Sequence, residues 1–273
     1  MLIHRSFCIA AAWWLIIGSI ASANAAESQS PVECHASSQA QITPVVELYT
    51  SEGCSSCPPA ERWLASFAEQ GSAISLVFHV DYWDYLGWRD RYASPRFTAR
   101  QRARVGQAGA RVTYTPQVMI GPQIQVDWRS APRLQAALQE AAAAAKTRLE
   151  LALVPGPGAL QIELGARPIG AGGLEIGDAQ LWIALTEDGL ASQVDAGENR
   201  GQELRHQRVV RLWLGPYSLN PQRARWQGQI DWQADWRGPQ LRVAALIEDQ
   251  RNGRTLAAVD LALGPCLAAQ TPE

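Results

Sequence analysis

Hydrophobic residues along the chain follow first a mixed and then a purely strand-like pattern. Val45–Thr50 is a short β-rich run, and Ile74–Val80 is almost continuously apolar, as in a strand covered on both faces. Between them Ala60, Trp63, Leu64, Phe67 and Ala68 recur at helical spacing, and Gly71 supplies the stop. Ser94-Pro95, a capping residue followed by proline at the first helical position, opens a second helix to about Val105. Short strands follow at Gln117–Ile120 and Gln123–Asp127, joined through Gly121-Pro122, and Ser130 with Pro132 starts an alanine-rich helix to about Lys146. The order β-α-β-α-β-β-α implies a parallel first pair and an antiparallel hairpin at the end.

That order is the thioredoxin arrangement, with an enlarged segment between the second strand and the second helix. From Leu149 the texture changes. Leu149–Val154, Ala159–Leu164, Ala179–Glu187, Arg208–Leu214, Ala224–Trp232, Leu241–Asp249 and Thr255–Leu263 read as strands separated by Gly/Pro turns, with Asn252-Gly253 a strong hairpin signal. The fold class expected is an α/β thioredoxin-like domain over residues 44–148, then an all-β antiparallel sandwich-like domain over residues 149–267 and a short tail, 268–273.

With 273 residues, 47% of them hydrophobic, the chain can fill two cores. A net charge of -2 gives no electrostatic reason to bind nucleic acid or an anionic membrane. Residues 1–25 read as a cleavable signal peptide: His4 and Arg5, an apolar run from Phe7 to Ile20, then the small-x-small step Ala23-Asn24-Ala25. The apolar run is short for a membrane span. An uncleaved anchor is the alternative; cleavage implies a periplasmic or secreted protein with no stable membrane insertion. Residues 26–43 read as a flexible lead-in. Cleavage leaves Cys34, Cys54, Cys57 and Cys266 in a compartment where disulfides persist. Spacing pairs Cys54 with Cys57, and elimination leaves Cys34 and Cys266 for one structural disulfide.

Cys54-Ser55-Ser56-Cys57 closes a strand and opens a helix, which favours a redox dithiol. Cys54 is expected as the exposed attacking sulfur and Cys57 as the buried resolving one, with Ser55 and Ser56 donating to the Cys54 thiolate. The alternatives are an inert disulfide or half a metal site, but no second CxxC or paired histidine supplies zinc with two more ligands. In Tyr114-Thr115-Pro116-Gln117 the proline precedes a strand, where a cis Pro116 would leave the Thr115 backbone free to pair with a substrate peptide; taken alone it is a turn proline. The run His79–Trp88 ends the second strand on the edge that carries Cys54. Asp81 or Asp84 is a candidate proton carrier and Trp83 or Trp88 a groove wall, against a packed loop whose acids cap backbone groups. Glu47 points by strand alternation away from the dithiol face and reads as a satisfied structural carboxylate. Arg96, Arg100 and Arg104 recur along the second helix as a solvated face, or alternatively a dock for an acidic partner. Glu198-Asn199-Arg200-Gly201 reads as a loop without chemistry.

The segments VVELYTSEGCSSCPPAERWL, HVDYWDYLGWRDRYASPRFTARQR and VTYTPQV together resemble an uncharacterised family of bacterial secreted thioredoxin-like proteins, a domain of unknown function. The resemblance extends more weakly through GENRGQELRHQRVVR and the closing hairpin. It implies a thioredoxin-like fold followed by a β-rich domain, and no substrate. Gly53 stands where thioredoxins usually carry tryptophan, and Pro58-Pro59 removes two N–H groups from the first helical turn. The activity expected is thiol–disulfide exchange with protein thiols or disulfides and no organic cofactor. Its rivals are a non-catalytic binding protein with a static disulfide and a Cu(I) metallochaperone, the latter without any methionine-rich or histidine-rich stretch behind it.

Overall fold

The computed structural model describes residues 34–171, 179–219 and 224–268; the expected signal sequence and the lead-in up to residue 33 lie outside them. The strands are β1 (Cys34–Ser37), β2 (Val45–Thr50), β3 (Ile74–His79), β4 (Gln117–Ile120), β5 (Thr147–Pro155), β6 (Ala159–Pro168), β7 (Ala179–Glu187), β8 (Leu190–Gln193), β9 (Glu203–His206), β10 (Val209–Ser218), β11 (Arg225–Asp231), β12 (Leu241–Asp249) and β13 (Thr255–Ala262). The helices are α1 (Pro58–Glu69), α2 (Pro95–Gln107), α3 (Ala131–Ala141) and α4 (Leu263–Ala268). The architecture is mixed α/β and mostly β.

A seven-stranded sheet in the order β13-β12-β7-β10-β3-β2-β4 runs through the described residues, beside a four-stranded sheet β1-β5-β6-β11 and the separate pair β8-β9. β2 and β3 are parallel, with Val45 opposite Ile74 and Thr50 opposite His79, and β4 is antiparallel to β2. β10 then joins the free flank of β3 in parallel, Val209 opposite Val77. This corrects the expectation of two domains divided after residue 148: strands from both halves share one sheet, and the described residues form one compact unit. The physical reason is that β3 would otherwise be an unpaired apolar edge.

Alternation along the shared strands sorts the cores. Leu181, Ile183 and Leu185 of β7, with Leu241, Val243 and Ala245 of β12, pack against Leu149, Leu151 and Leu153 of β5 and Leu160 and Ile162 of β6. The intervening Ala184, Ala244 and Leu246 face the other way and join Tyr49, Leu76, Phe78 and Met119 under Phe97 and Val105 of α2. Val46, Leu48, Val77 and Val118 pack under Leu64 of α1 and Ala137 of α3. One helix, α2, therefore covers a face built by both halves of the chain.

That position overturns the solvated reading of its arginines. Arg96 is exposed and donates to the Gly215 carbonyl, but Arg100 and Arg104 are buried. Arg100 Nη2 donates to Glu47 Oε1 at 2.6 Å and to Glu248 Oε1 at 2.8 Å, and its guanidinium lies 4.2 Å from the Trp213 ring centre. Burial opposes ionisation of Glu47, but Arg100 and Arg104 outweigh it and hold the carboxyl below its usual range. Glu47 is the structural carboxylate that strand alternation implied.

Three local expectations also change. Gln123–Asp127 forms no strand: Ile120 and Gln123 close one isolated bridge around Gly121, whose φ is 55°, and the chain turns away. The lead-in is not loose throughout, because β1 pairs with β5 from Cys34–Leu153 to Ser37–Glu150, and Gln41 bridges Ala144. That second bridge takes up residues 143–145, so α3 stops at Ala141 instead of near Lys146. Cys34 and Cys266 are bonded to each other across 232 positions, with Cα atoms 5.9 Å apart.

Candidate functional site

β2 ends at Thr50, and the chain turns through Ser51, Glu52 and Gly53. Cys54 N–H donates to the Ser51 carbonyl at 3.1 Å, and Cys57 N–H to the Cys54 carbonyl at 3.2 Å. Cys57 is the N-cap of α1, and Pro58 and Pro59 fill the first two helical positions. The first helical N–H groups, those of Ala60 and Glu61, both donate to the Cys57 carbonyl. No free helix N–H remains for a thiolate. Cys54 and Cys57 form a disulfide with Cα atoms 5.5 Å apart.

The expected exposure of Cys54 is not found. Both cysteines are 0% exposed, while Ser55 and Ser56 between them are exposed. Of the two serines only Ser56 meets the sulfur, its Oγ 3.4 Å from Cys54 Sγ. Ser55 donates instead, from both its N–H and its hydroxyl, to Glu198 Oε2 at 2.9 and 2.7 Å.

The cover is the segment to which the sequence assigned no chemistry. Residues 194–202 form the tip of the β8–β9 hairpin, and there Asn199, 1% exposed, donates from Nδ2 to the carbonyls of Glu52 and Cys54, each at 2.9 Å. Gly197, at φ 75°, brings this tip close to Gly53: a Cβ on Gly197 would stand 3.5 Å from both Gly53 Cα and Trp88 Cβ. A Cβ on Gly53 would in turn lie 3.2 Å from Trp83 Cβ. Glycine before Cys54 therefore has a local cause, the close seating of Trp83 and the hairpin tip.

Beneath the turn lies a buried acid–imidazole cluster drawn from five places in the chain. His206, at the end of β9, meets Glu61 Oε2 of α1 through Nδ1 at 2.6 Å and Glu52 Oε1 through Nε2 at 3.1 Å. Thr50 Oγ1 donates to the other Glu61 oxygen at 2.6 Å, and Trp88 Nε1 to Glu52 Oε2 at 2.7 Å. His79, closing β3, pairs through Nδ1 with Asp90 Oδ2 at 2.7 Å, and Asp90 also accepts the N–H groups of Glu52 and Tyr92. The two imidazole centres are 5.0 Å apart and Tyr92 lies edge-on to both. Burial alone would depress the His206 imidazolium, but Glu61 and Glu52 outweigh it and push its pKa up to about 10. His79 is raised in the same sense, Asp90 overcoming its burial. Burial disfavours the Glu61 carboxylate too, and His206 nevertheless holds it low. One ligand atom each from Glu61, His79 and His206 lie within 4.8 Å of one another, so these three can hold a metal ion.

The other anticipated residues occupy the rim. The Thr115–Pro116 peptide is cis, and Thr115 Oγ1 accepts Trp83 Nε1 at 2.8 Å, tying that step to the residue packed on Gly53. Asp81 is satisfied by Thr98, whose hydroxyl donates to Asp81 Oδ1 and accepts its N–H, and Asp84 Oδ1 accepts the Asp90 N–H at 3.3 Å. Neither acid bonds to a cysteine. Burial pushes Asp84 up from the ordinary carboxylate range.

The model of a family described as "Protein of unknown function (DUF1223)" matches residues 45–248, a span that holds the dithiol, the cluster and the hairpin cover. The chain belongs to this family. The crystal structure of a structural-genomics protein from Agrobacterium tumefaciens is similar over 83% of this chain and 96% of that one, at 24% identity and a TM-score of 0.55. A domain of the outer membrane lipoprotein Omp28 from Porphyromonas gingivalis aligns with 44% of this chain and 88% of its own, at 10% identity and a TM-score of 0.28, which does not establish a shared fold. No curated protein matches the chain.

For this DUF1223 member the hairpin tip gives a direct test. Replacing Asn199 by alanine removes both of its hydrogen bonds to the dithiol turn, each worth about 1 kcal/mol. The rate at which dithiothreitol reduces Cys54–Cys57, followed by alkylation and mass spectrometry, should rise by up to about thirtyfold. An unchanged rate would show that the tip is not what shields the bond.

Proposed function

We propose that the protein is an exported thiol–disulfide exchange protein whose Cys54–Cys57 couple works behind a movable cover. The observation that carries this reading is the placement of the couple. A disulfide spanning one CxxC step sits between a strand end and a helix start, and the next turn of that helix carries Glu61 of a buried acid–imidazole cluster. The run β2-α1-β3-α2-β4-α3, parallel then antiparallel, supports reading this part as thioredoxin-like without the last strand of that fold.

In exchange, a substrate thiolate attacks Cys54 Sγ, the Cys54–Cys57 bond breaks, and Cys57 leaves as a thiolate that takes a proton. A second substrate thiolate then attacks the mixed disulfide, releasing oxidised substrate and the reduced pair: two electrons and two protons enter the protein. The reverse sequence reduces a substrate disulfide. Partners are protein thiols or disulfides in an oxidising compartment such as the periplasm.

A binding protein with a static disulfide is the second reading, favoured by the complete burial of both sulfurs. Cys57→Ser separates the two. The exchange reading predicts mixed disulfides through Cys54 with other exported proteins, recovered by non-reducing electrophoresis and peptide mapping. It also predicts that the parent pair equilibrates across a glutathione series. A pair that stays oxidised in strongly reducing buffer, with nothing trapped even when Asn199→Ala is added, would leave the static disulfide standing.

A further inference from the structure

We propose that Glu61, His79 and His206 form a binding site for a divalent cation of the zinc class, with Glu52 and Asp90 as the groups that orient the two imidazoles. The inference stands on geometry independent of the exchange reading.

Each imidazole uses one nitrogen on a carboxylate behind it; the other nitrogen is unpartnered in His79 and, in His206, is bonded to Glu61, so that a cation would take the place of the proton between those two. His79 Nδ1 is held by Asp90 Oδ2, which leaves Nε2; that atom is fully buried and has no hydrogen-bond partner among the described residues. His206 Nε2 is held by Glu52 Oε1, and its Nδ1 faces the Glu61 carboxylate. Glu61 is itself oriented by the Thr50 hydroxyl. A carboxylate behind each imidazole and a hydroxyl behind the carboxylate is how proteins fix the tautomer and direction of metal-bound side chains. Two imidazoles and one carboxylate suit zinc and its borderline neighbours better than magnesium or calcium, which take mainly oxygen.

Charge points the same way. Glu52, Glu61 and Asp90 bring three acids to a buried volume that contains two imidazoles. Even with both imidazoles protonated the cluster keeps one negative charge in excess, and the nearby Arg211 is already paired with Glu187 and Asp235. A buried imidazole nitrogen left unpartnered is costly; a cation at this point satisfies it. The ion would tie α1, β3 and β9 together directly beneath the dithiol turn.

The experiment uses the full mature chain carrying Cys54→Ser and Cys57→Ser, so that free thiolates cannot hold the metal. After equilibration with excess zinc and gel filtration, mass spectrometry of the bound metal should find one zinc per chain, and competition against a chromophoric chelator gives the affinity. Cobalt(II) in its place should show visible bands of a nitrogen- and oxygen-ligated ion. His206→Gln or His79→Ala should weaken binding at least 100-fold, and Asp90→Asn, which touches no metal, about 10–100-fold. Less than stoichiometric zinc on the folded protein, or an affinity indifferent to both histidine variants, would overturn the site. If either histidine variant fails to fold by circular dichroism, the cobalt spectrum and the Asp90→Asn affinity decide: sulfur-type or aqueous bands, or unchanged binding, refute it.

Discussion

An Arg100→Met protein should be less stable than its parent by about 3–5 kcal/mol, seen as a lower denaturant midpoint at unchanged slope. Arg100 lies almost fully buried between Glu47 on β2 and Glu248 on β12, and its face packs on Trp213 of β10. Methionine keeps much of the packing volume but leaves two carboxylates in a dry interior. Arg104, 3.7 Å from Glu47, is placed to relieve only one of them. Because the cost comes from uncompensated charge, adding Glu47→Gln and Glu248→Gln to Arg100→Met should recover a large part of the loss. A single variant within about 1 kcal/mol of the parent would mean that hydrophobic burial alone joins the two halves.

Removing the other tie, with Cys34→Ser and Cys266→Ser together, should cost about 2–5 kcal/mol, again read from chemical denaturation. The bridge closes a loop of 232 positions and so removes much freedom from the unfolded chain. It also anchors β1 to α4, at the edge of the four-stranded sheet. Loss of less than about 1 kcal/mol would show that β1 pairing with β5 suffices by itself. The contrast with Cys54–Cys57 is informative. That bond spans three positions, where the chain-entropy contribution is smallest, so stability gives it the weaker justification.

Much of the first half was legible in the sequence because its elements are local. Val45–Thr50, Ile74–His79 and the Ser94-Pro95 helix start are stated by apolar runs and by capping chemistry within a few residues. The CxxC pairing followed from spacing alone. What escaped was everything set by distant partners. Arg100 and Arg104 looked solvated because four-residue charge spacing is common on exposed helices, and only the second half, lying against α2, buries them. His79 lies in a run whose acids carry the more familiar proton chemistry, and His206 stands alone in residues 203–208. Histidines paired close in sequence are the usual mark of a zinc site, whereas His79 and His206 lie far apart in the chain and meet only because the β8–β9 hairpin folds back. One signal was available: the resemblance reached GENRGQELRHQRVVR, the very stretch that supplies Glu198, Asn199 and His206. The burial of Cys54 was likewise invisible, since a CxxC motif names the sulfurs but not what rests on them.

A sheet common to both halves changes what the later residues are for. They rest on the dithiol turn through Asn199 and supply His206 beneath it, so a chain that shed them would uncover the disulfide, not merely lose an accessory.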